Sequence, residues 1–427
     1  MPRAVGRPPL LPPGWIVFAL FSLNPVWWFL GFGGFIWSFA ALPLVVWCIM
    51  TPRLERPPTT GLYAVYVIWA GFTVVRLDKF TRFLSFGMRY MAYLTALCLA
   101  YYVYNERRVS RETFIRWVSW FWVAAVAGGY LGMLVPHGRL STTLASVVLP
   151  GSISDNEFVG NLIKPSFAQV QNLFGVEIPR PNALFAFTNE WGGNVGLLTP
   201  FFVASTLYSA NAKRRRFGLI MLAVSLPPMI VSVNRGLWIS VLLTFSLIAV
   251  RSFLVGRTAP MKFLATFVAV VAVLIIATPV GEVVIGRLSE ADAGAREGIY
   301  HEAWQGALDS PILGWGGPRP SANPFSPAIG THGHLWFAMF SHGLVGLGLY
   351  VAWVLASMSR ALRPRDPVSM MLACVVIVGG VQMFFYKLVP VSLPIILVAI
   401  GLMFRTDAPP EVPRQQAAAR RPVSSHA

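Results

Sequence analysis

The sequence is short of charge. Asp, Glu, Lys and Arg make up 12% of its 427 residues, and hydrophobic residues make up 56%. A soluble domain carries about a quarter charged residues, so this balance, with a mean hydropathy of +0.62, excludes that class. Cysteine is scarce as well. Cys48, Cys98 and Cys374 are the three in the chain, and each lies inside an apolar run. That placement excludes a disulfide framework and a thiolate metal site, and fits small buried hydrophobes. Acid is scarcer than base, with 17 Asp and Glu against 34 Lys and Arg. No continuous basic face accompanies the excess, so nucleic acid is excluded as a partner. No internal repeat is present. Arg3 and Arg7 precede an apolar run, but no small-residue cleavage site follows, and the run continues to Met50. It is therefore read as uncleaved spans.

What the sequence has is long apolar runs separated by short charged patches. They fall near 15–30, 32–50, 61–77, 84–104, 114–135, 192–209, 217–233, 236–252, 262–280, 334–358, 369–386 and 390–404. This predicts an all-α polytopic membrane protein of about twelve transmembrane helices, with one domain over 1–406 and a disordered cytoplasmic tail over 407–427. The first two spans are divided only by Asn24-Pro25 and by Gly31, Gly33 and Gly34. With the N-terminus in the cytoplasm, most Lys and Arg fall in inside loops, as membrane topology requires. One loop disagrees: Arg76, Lys79 and Arg82 fall outside.

Two outside loops, 136–191 and 281–333, are too long to be mere connectors. Residues 292–308 place Ile299, Ala303, Trp304, Ala307 and Leu308 at helical spacing. They predict a surface helix stopped by Asp309-Ser-Pro311.

Three outside arginines stand apart from the charges that topology explains: Arg180, Arg235 and Arg296. A guanidinium near hydrocarbon snorkels to headgroups, pairs, or faces a polar cavity. Its fork also matches phosphate oxygens, so several together fit a lipid-anchored diphosphate. Arg235 is the strongest of the three, because apolar spans flank it with little acid nearby. The stretch THGHLWFAMFSHGLVG then holds three of the six histidines. His332 and His334 open the tenth span, and His342 reads as a buried, hydrogen-bonded residue. The H-x-H pair lacks the i, i+4 spacing and the nearby carboxylate of a zinc site, so no metal is expected. The remaining role is a general base, which a ring titrating near neutral pH can fill. Gly343, Gly346 and Gly348 read as packing positions between spans, and Pro311 to Gly317 as a tight turn. That turn lacks the Lys and Ser/Thr of a phosphate loop.

In order, these motifs resemble the O-antigen ligase and O-antigen polymerase superfamily of bacterial integral-membrane glycosyltransferases. Ser232-Val-Asn-Arg-Gly236 resembles its S-x-x-R-G turn. Arg296, Ala303-Trp304 and Pro311-Ile-Leu-Gly-Trp-Gly316 resemble its R…W…P-hydrophobic-G-x-G loop. His332 with Gly343-Leu-Val-Gly346 resembles its H-N…G-L-x-G helix start, and Arg180…Phe185…Asn189 its R…F…N segment. The match covers about 180–350. Gly333 stands where the family has Asn, and Ser341 where it has Glu. The first departure bears on how the imidazole is oriented and keeps His334 as the other candidate base; the eleven-residue spacing to Gly343 favours His332.

The resemblance implies metal-independent, inverting glycosyl transfer without a cofactor, on the extracytoplasmic face of the bacterial cytoplasmic (inner) membrane. The donor it implies is a glycan on undecaprenyl diphosphate, and the acceptor a glycan or glycolipid hydroxyl. His332 or His334 would be the catalytic base, and Arg235, Arg180 and Arg296 the diphosphate-binding residues. Polymerase, ligase and protein O-glycosyltransferase all share this machinery, and the loops do not separate them. The rival reading is a transporter or flippase for an anionic or lipid-linked glycan. Such proteins commonly have related halves and midplane charges on broken helices, whereas here the candidates cluster at one face.

Overall fold

Apolar residues that cannot face water wind into helices, because a helix satisfies its own backbone polar groups. The computed structural model describes residues 11–154, 157–173, 176–254, 256–277, 293–323, 326–363 and 366–405, and over these the chain is mostly helical. The longer helices are α1 (Ala41–Met50), α2 (Thr60–Phe72), α3 (Phe80–Asn105), α4 (Arg111–Leu134), α5 (Thr188–Thr206), α6 (Ala212–Val231) and α7 (Arg235–Leu254). Then follow α8 (Ala259–Ala277), α9 (Ala293–Asp309), α10 (His334–Ala361), α11 (Pro367–Gln382) and α12 (Ser392–Met403). Local chemistry fixes several starts. The side chains of Ser110, Asn211 and Asp366 accept hydrogen bonds from the first turns of α4, α6 and α11. The first apolar stretch is broken into short helices, and Gly31 takes a left-handed φ of 80° at one of the breaks.

Among the described residues, α3, α4, α7 and α10 are long and apolar enough to cross a membrane. Other apolar helices are shorter: α12, at 12 residues, extends roughly 18 Å against a hydrocarbon core of about 30 Å. Small residues let the helices close up. A Cβ added at Gly401 of α12 would lie 2.6 Å from the Ala100 carbonyl oxygen of α3.

Two features depart from the sequence reading. The 136–191 segment is not purely helical or irregular. It forms an antiparallel hairpin, β1 (Ala168–Leu173) and β2 (Val176–Pro181), with Gln169 opposite Arg180. The alternation in Ala-Gln-Val-Gln is a strand period too short to stand out within a long loop. The second departure is in α10, which breaks at Gly343 (φ 71°, ψ −177°). The Pro311–Gly316 segment fills the break. Leu344 N–H donates to the Pro311 carbonyl (2.7 Å), while Trp315 and Gly316 N–H donate to the Phe340 and Ser341 carbonyls at 3.0 and 2.8 Å. The turn thus supplies the backbone partners that the broken helix lacks. Gly343 is consequently a backbone position, where a Cβ would run into the Ile312 and Pro311 carbonyls.

The surface helix expected over 292–308 is α9, ending at Asp309. Its buried face is Ile299, Ala303 and Ala307, packed in part on Met339 of α10, whereas Trp304 and Leu308 are exposed. Residues 281–292 and the tail after 405 lie outside the described residues.

Candidate functional site

The hairpin, the α6–α7 turn, the start of α10 and the α11–α12 connector meet at one end of the bundle. The α6–α7 turn is Ser232 to Gly236. Asn234 caps α7 through its Oδ1, which accepts from Leu237 N–H at 2.9 Å, and its Nδ2 donates to the Thr188 carbonyl at 3.3 Å. The Tyr386 hydroxyl donates to the same Oδ1 in a short bond. A Cβ at Gly236 would collide with that hydroxyl, which explains the glycine after Arg235. Arg235 opens α7 and is half-buried.

Arg180 is 4% exposed and ties this turn to the hairpin. Its Nε donates to the Ser232 carbonyl (2.8 Å), Nη1 to Gln171 Oε1 (2.7 Å) and Nη2 to Asn189 Oδ1 (3.5 Å). Arg296 lies on α9, and its side chain is outside the described residues.

The two histidines of the H-x-H pair go to different places. His332 is half-buried, with Nδ1 3.1 Å from the Thr331 hydroxyl. His334 is 0% exposed, packed among Tyr93, Phe337 and Tyr350, with Nδ1 accepting from Leu388 N–H at 3.3 Å. Gly333 between them has φ 87°, and a Cβ there would lie 2.6 Å from the Phe384 carbonyl oxygen. Glycine is therefore required at this position, because any side chain would meet that carbonyl at a left-handed φ. His342 is buried and bonded to the Thr73 hydroxyl (Nδ1, 3.0 Å), as its depth in the span suggested.

The sequence reading missed three charged residues that gather here. Arg89 of α3 lies 5.9 Å from the Phe337 ring centroid, and Lys387 of the connector lies 5.3 Å from it. Both are half-buried, and neither makes a hydrogen bond or ion pair with another described residue. Burial, and secondarily the Arg89 charge, lowers the Lys387 ammonium to about 8, while Glu190 pulls it back up. Glu190 sits in the first turn of α5, where its Oε2 accepts from Ala186 N–H at 3.3 Å. Burial raises its carboxyl to about 7, against the opposing pull of Lys387 and that N–H. A signal for these residues was present. Arg89 is a charge inside an apolar run, and Glu190 is an acid in a chain poor in acids.

The connector after α11 is the hub. Phe384 abuts Gly333, Tyr386 holds Asn234, Lys387 faces Phe337 and Glu190, and Leu388 holds His334. Chemically this end of the bundle offers a half-buried imidazole and, on the neighbouring elements, cations without a contact ion pair, which suits proton removal near a bound anion. Nearby, the arginines that broke the topology pattern have structural partners. Arg82 pairs with Asp78 at 2.7 Å and Arg76 lies 5.2 Å from the Trp315 ring, which Arg319 of the second long loop approaches to 4.0 Å. Among the described residues no three His, Cys, Asp or Glu side chains form a metal-binding group.

Set against known proteins, the chain matches no family model and no curated protein.

Proposed function

We propose that the chain is a twelve-span glycosyltransferase of the O-antigen ligase and polymerase type in the bacterial cytoplasmic membrane. The hairpin end faces away from the cytoplasm. The donor is a glycan on undecaprenyl diphosphate, and the acceptor is a hydroxyl of a glycan or glycolipid. His332 takes the proton of that hydroxyl as its oxygen attacks the anomeric carbon. The bond from that carbon to the diphosphate breaks in the same step, and the electron pair leaves with the diphosphate. A single displacement inverts the anomeric centre. Arg235, extended by Arg89 and Lys387, stabilises the charge that develops on the leaving group, and Arg296 joins them from α9. Arg180 holds the hairpin against the Arg235 turn, so its contribution is positioning. No metal is required, because the cations do the electrostatic work.

The observation that carries this reading is the pair Arg89 and Lys387. Two half-buried cations flank one ring with neither a hydrogen bond nor a contact ion pair to another described residue, and Glu190 offsets only part of their charge, at the end of the bundle that holds His332 and Arg235. Such charges are costly unless a ligand supplies the anion. One observation favours the transporter alternative: α10 is discontinuous at Gly343, as transporter helices often are. The Pro311–Gly316 turn fills that break, so backbone groups freed there are bonded within the chain and not offered to a transported ion.

The experiment is glycan transfer by the purified chain in lipid, with polyprenyl-diphosphate glycan, a panel of acceptors and EDTA. The proposal predicts an inverted product. Absence of product with every acceptor, together with uptake of labelled lipid-linked glycan into vesicles, would establish the transporter instead.

A further inference from the structure

A cavity of about 310 Å³ opens at the opposite end of the bundle, between α4, α5 and α6. It touches none of the residues assigned above. Its rim carries Arg116, Lys213 and Arg214, all exposed, and no carboxylate lines it. The side chains of Lys213 and Arg214 have no acceptor among the described residues, and Arg116 makes one long 3.4 Å contact to Thr113. The walls below the rim are aromatic. Trp120 is 52% exposed, and Phe202 is fixed by stacking on Trp122 at 4.0 Å. The hydroxyls within the cavity are already committed. Ser119 donates to the Ile115 and Phe201 carbonyls, and Thr206 to the Phe202 carbonyl. What remains for a ligand is three cations above an apolar, aromatic wall.

We infer that this groove holds an anionic phospholipid of the surrounding bilayer, with its phosphodiester on Arg116, Lys213 and Arg214 and an acyl chain along Trp120 and Phe217, which is also exposed in the cavity lining. Charge complementarity selects the headgroup. A sugar would find hydroxyls whose protons are already given to backbone carbonyls and no carboxylate or amide to bind its own hydroxyls, and a zwitterionic headgroup would bring its own cation toward the rim. The exposed indole beside a basic rim also has the composition of a membrane–water boundary. The inference rests on the membrane reading and not on glycosyl transfer.

The test uses the full chain in detergent, titrated with phosphatidylglycerol or phosphatidylcholine brominated on the acyl chains, with tryptophan quenching as the readout. Each basic residue near a membrane surface is worth about fivefold in affinity, so the three together predict roughly a hundredfold preference for phosphatidylglycerol. The triple variant Arg116→Gln, Lys213→Gln, Arg214→Gln should lose that preference, and Lys213→Gln alone should lose about fivefold. Trp120→Phe should reduce the quench amplitude while leaving the affinity nearly unchanged. Equal affinity for the two lipids overturns the inference. So does a preference that survives the triple variant, or an amplitude that ignores Trp120→Phe. Lipid selectivity in a chain with no transfer activity would sink the proposed function and leave this inference standing.

Discussion

The two ends of the bundle use basic residues in different ways. At the end opposite the hairpin, many cations are anchored to the fold. Arg108 pairs with Glu106 at 2.6 Å, and Arg111 donates to the Ser369 hydroxyl at 2.6 Å. Arg251 donates to the Leu362 carbonyl at 2.8 Å, and buried Arg405 to the Val103 carbonyl at 2.9 Å. At the hairpin end, Arg89 and Lys387 are half-buried against one aromatic ring with no such partner. Lys213 and Arg214 of the opposite end, which lack an acceptor among the described residues, are exposed to solvent and not half-buried. Half-buried charge without a contact ion pair, as at Arg89 and Lys387, points to a ligand.

The largest expected effect is on the scaffold that separates these ends. Gly343→Ala forces a Cβ into the Ile312 carbonyl at a φ of 71°. It should destabilise the chain by at least about 3 kcal/mol, read as loss of folded protein after extraction. Normal yield would mean that the docked turn is not structural.

Lys387→Gln is next. Loss of one charge-assisted contact to a bound anion is worth about 1.5–3 kcal/mol, so donor affinity should fall by roughly 10- to 100-fold with the fold intact. Unchanged donor binding would place Lys387 with the structural cations of the other end.

The pH response sharpens the same contrast. Lys387 loses its proton as pH rises through about 8, and Glu190 becomes an anion as pH rises through about 7. Both steps make this cluster less positive, so donor affinity should fall as pH rises across this window. Above the lysine step, affinity should fall and then level off roughly 10- to 100-fold lower, near the value for Lys387→Gln, because the neutral amine loses the same charge-assisted contact. Arg89, Glu190 and His334 all lie within electrostatic reach of this ammonium. Lys387→Arg keeps the charge and should remove the upper step, measured as donor KM against pH. An unshifted profile in that variant would assign the step elsewhere.

The smallest effect belongs to the anchored end. Arg111→Ala removes contacts to Ser369 and Asp366. It should cost about 0–1 kcal/mol in thermal unfolding and leave donor KM unchanged. A large KM effect would dissolve the distinction between the ends.

Much of the helical layout was legible. The run 84–104 became α3 and 114–135 became α4, because long apolar stretches leave the backbone few alternatives. The stop at Asp309-Ser-Pro311 and the buried state of His342 were also readable. The break at Gly343 was not. A glycine in an apolar helix looks like a packing position until a turn some thirty residues earlier in the chain is seen docked into it. Nor did the H-x-H spacing show that Gly333 turns His332 and His334 to different surroundings. Arg89, Glu190 and Lys387 come from three separate segments; Arg89 stands out as a charge within the run 84–104, but nothing in the sequence joins it to the other two. Only the packing of α3, α5 and the connector brings them together.

The most direct test of the central claim is transfer and donor binding measured side by side for wild type, His332→Ala and His334→Ala. Removing a general base lowers turnover by about 10²- to 10⁴-fold. The account predicts that loss in His332→Ala with donor binding retained, and in His334→Ala no more than a loss that tracks folded protein. Full turnover in folded His332→Ala would contradict it.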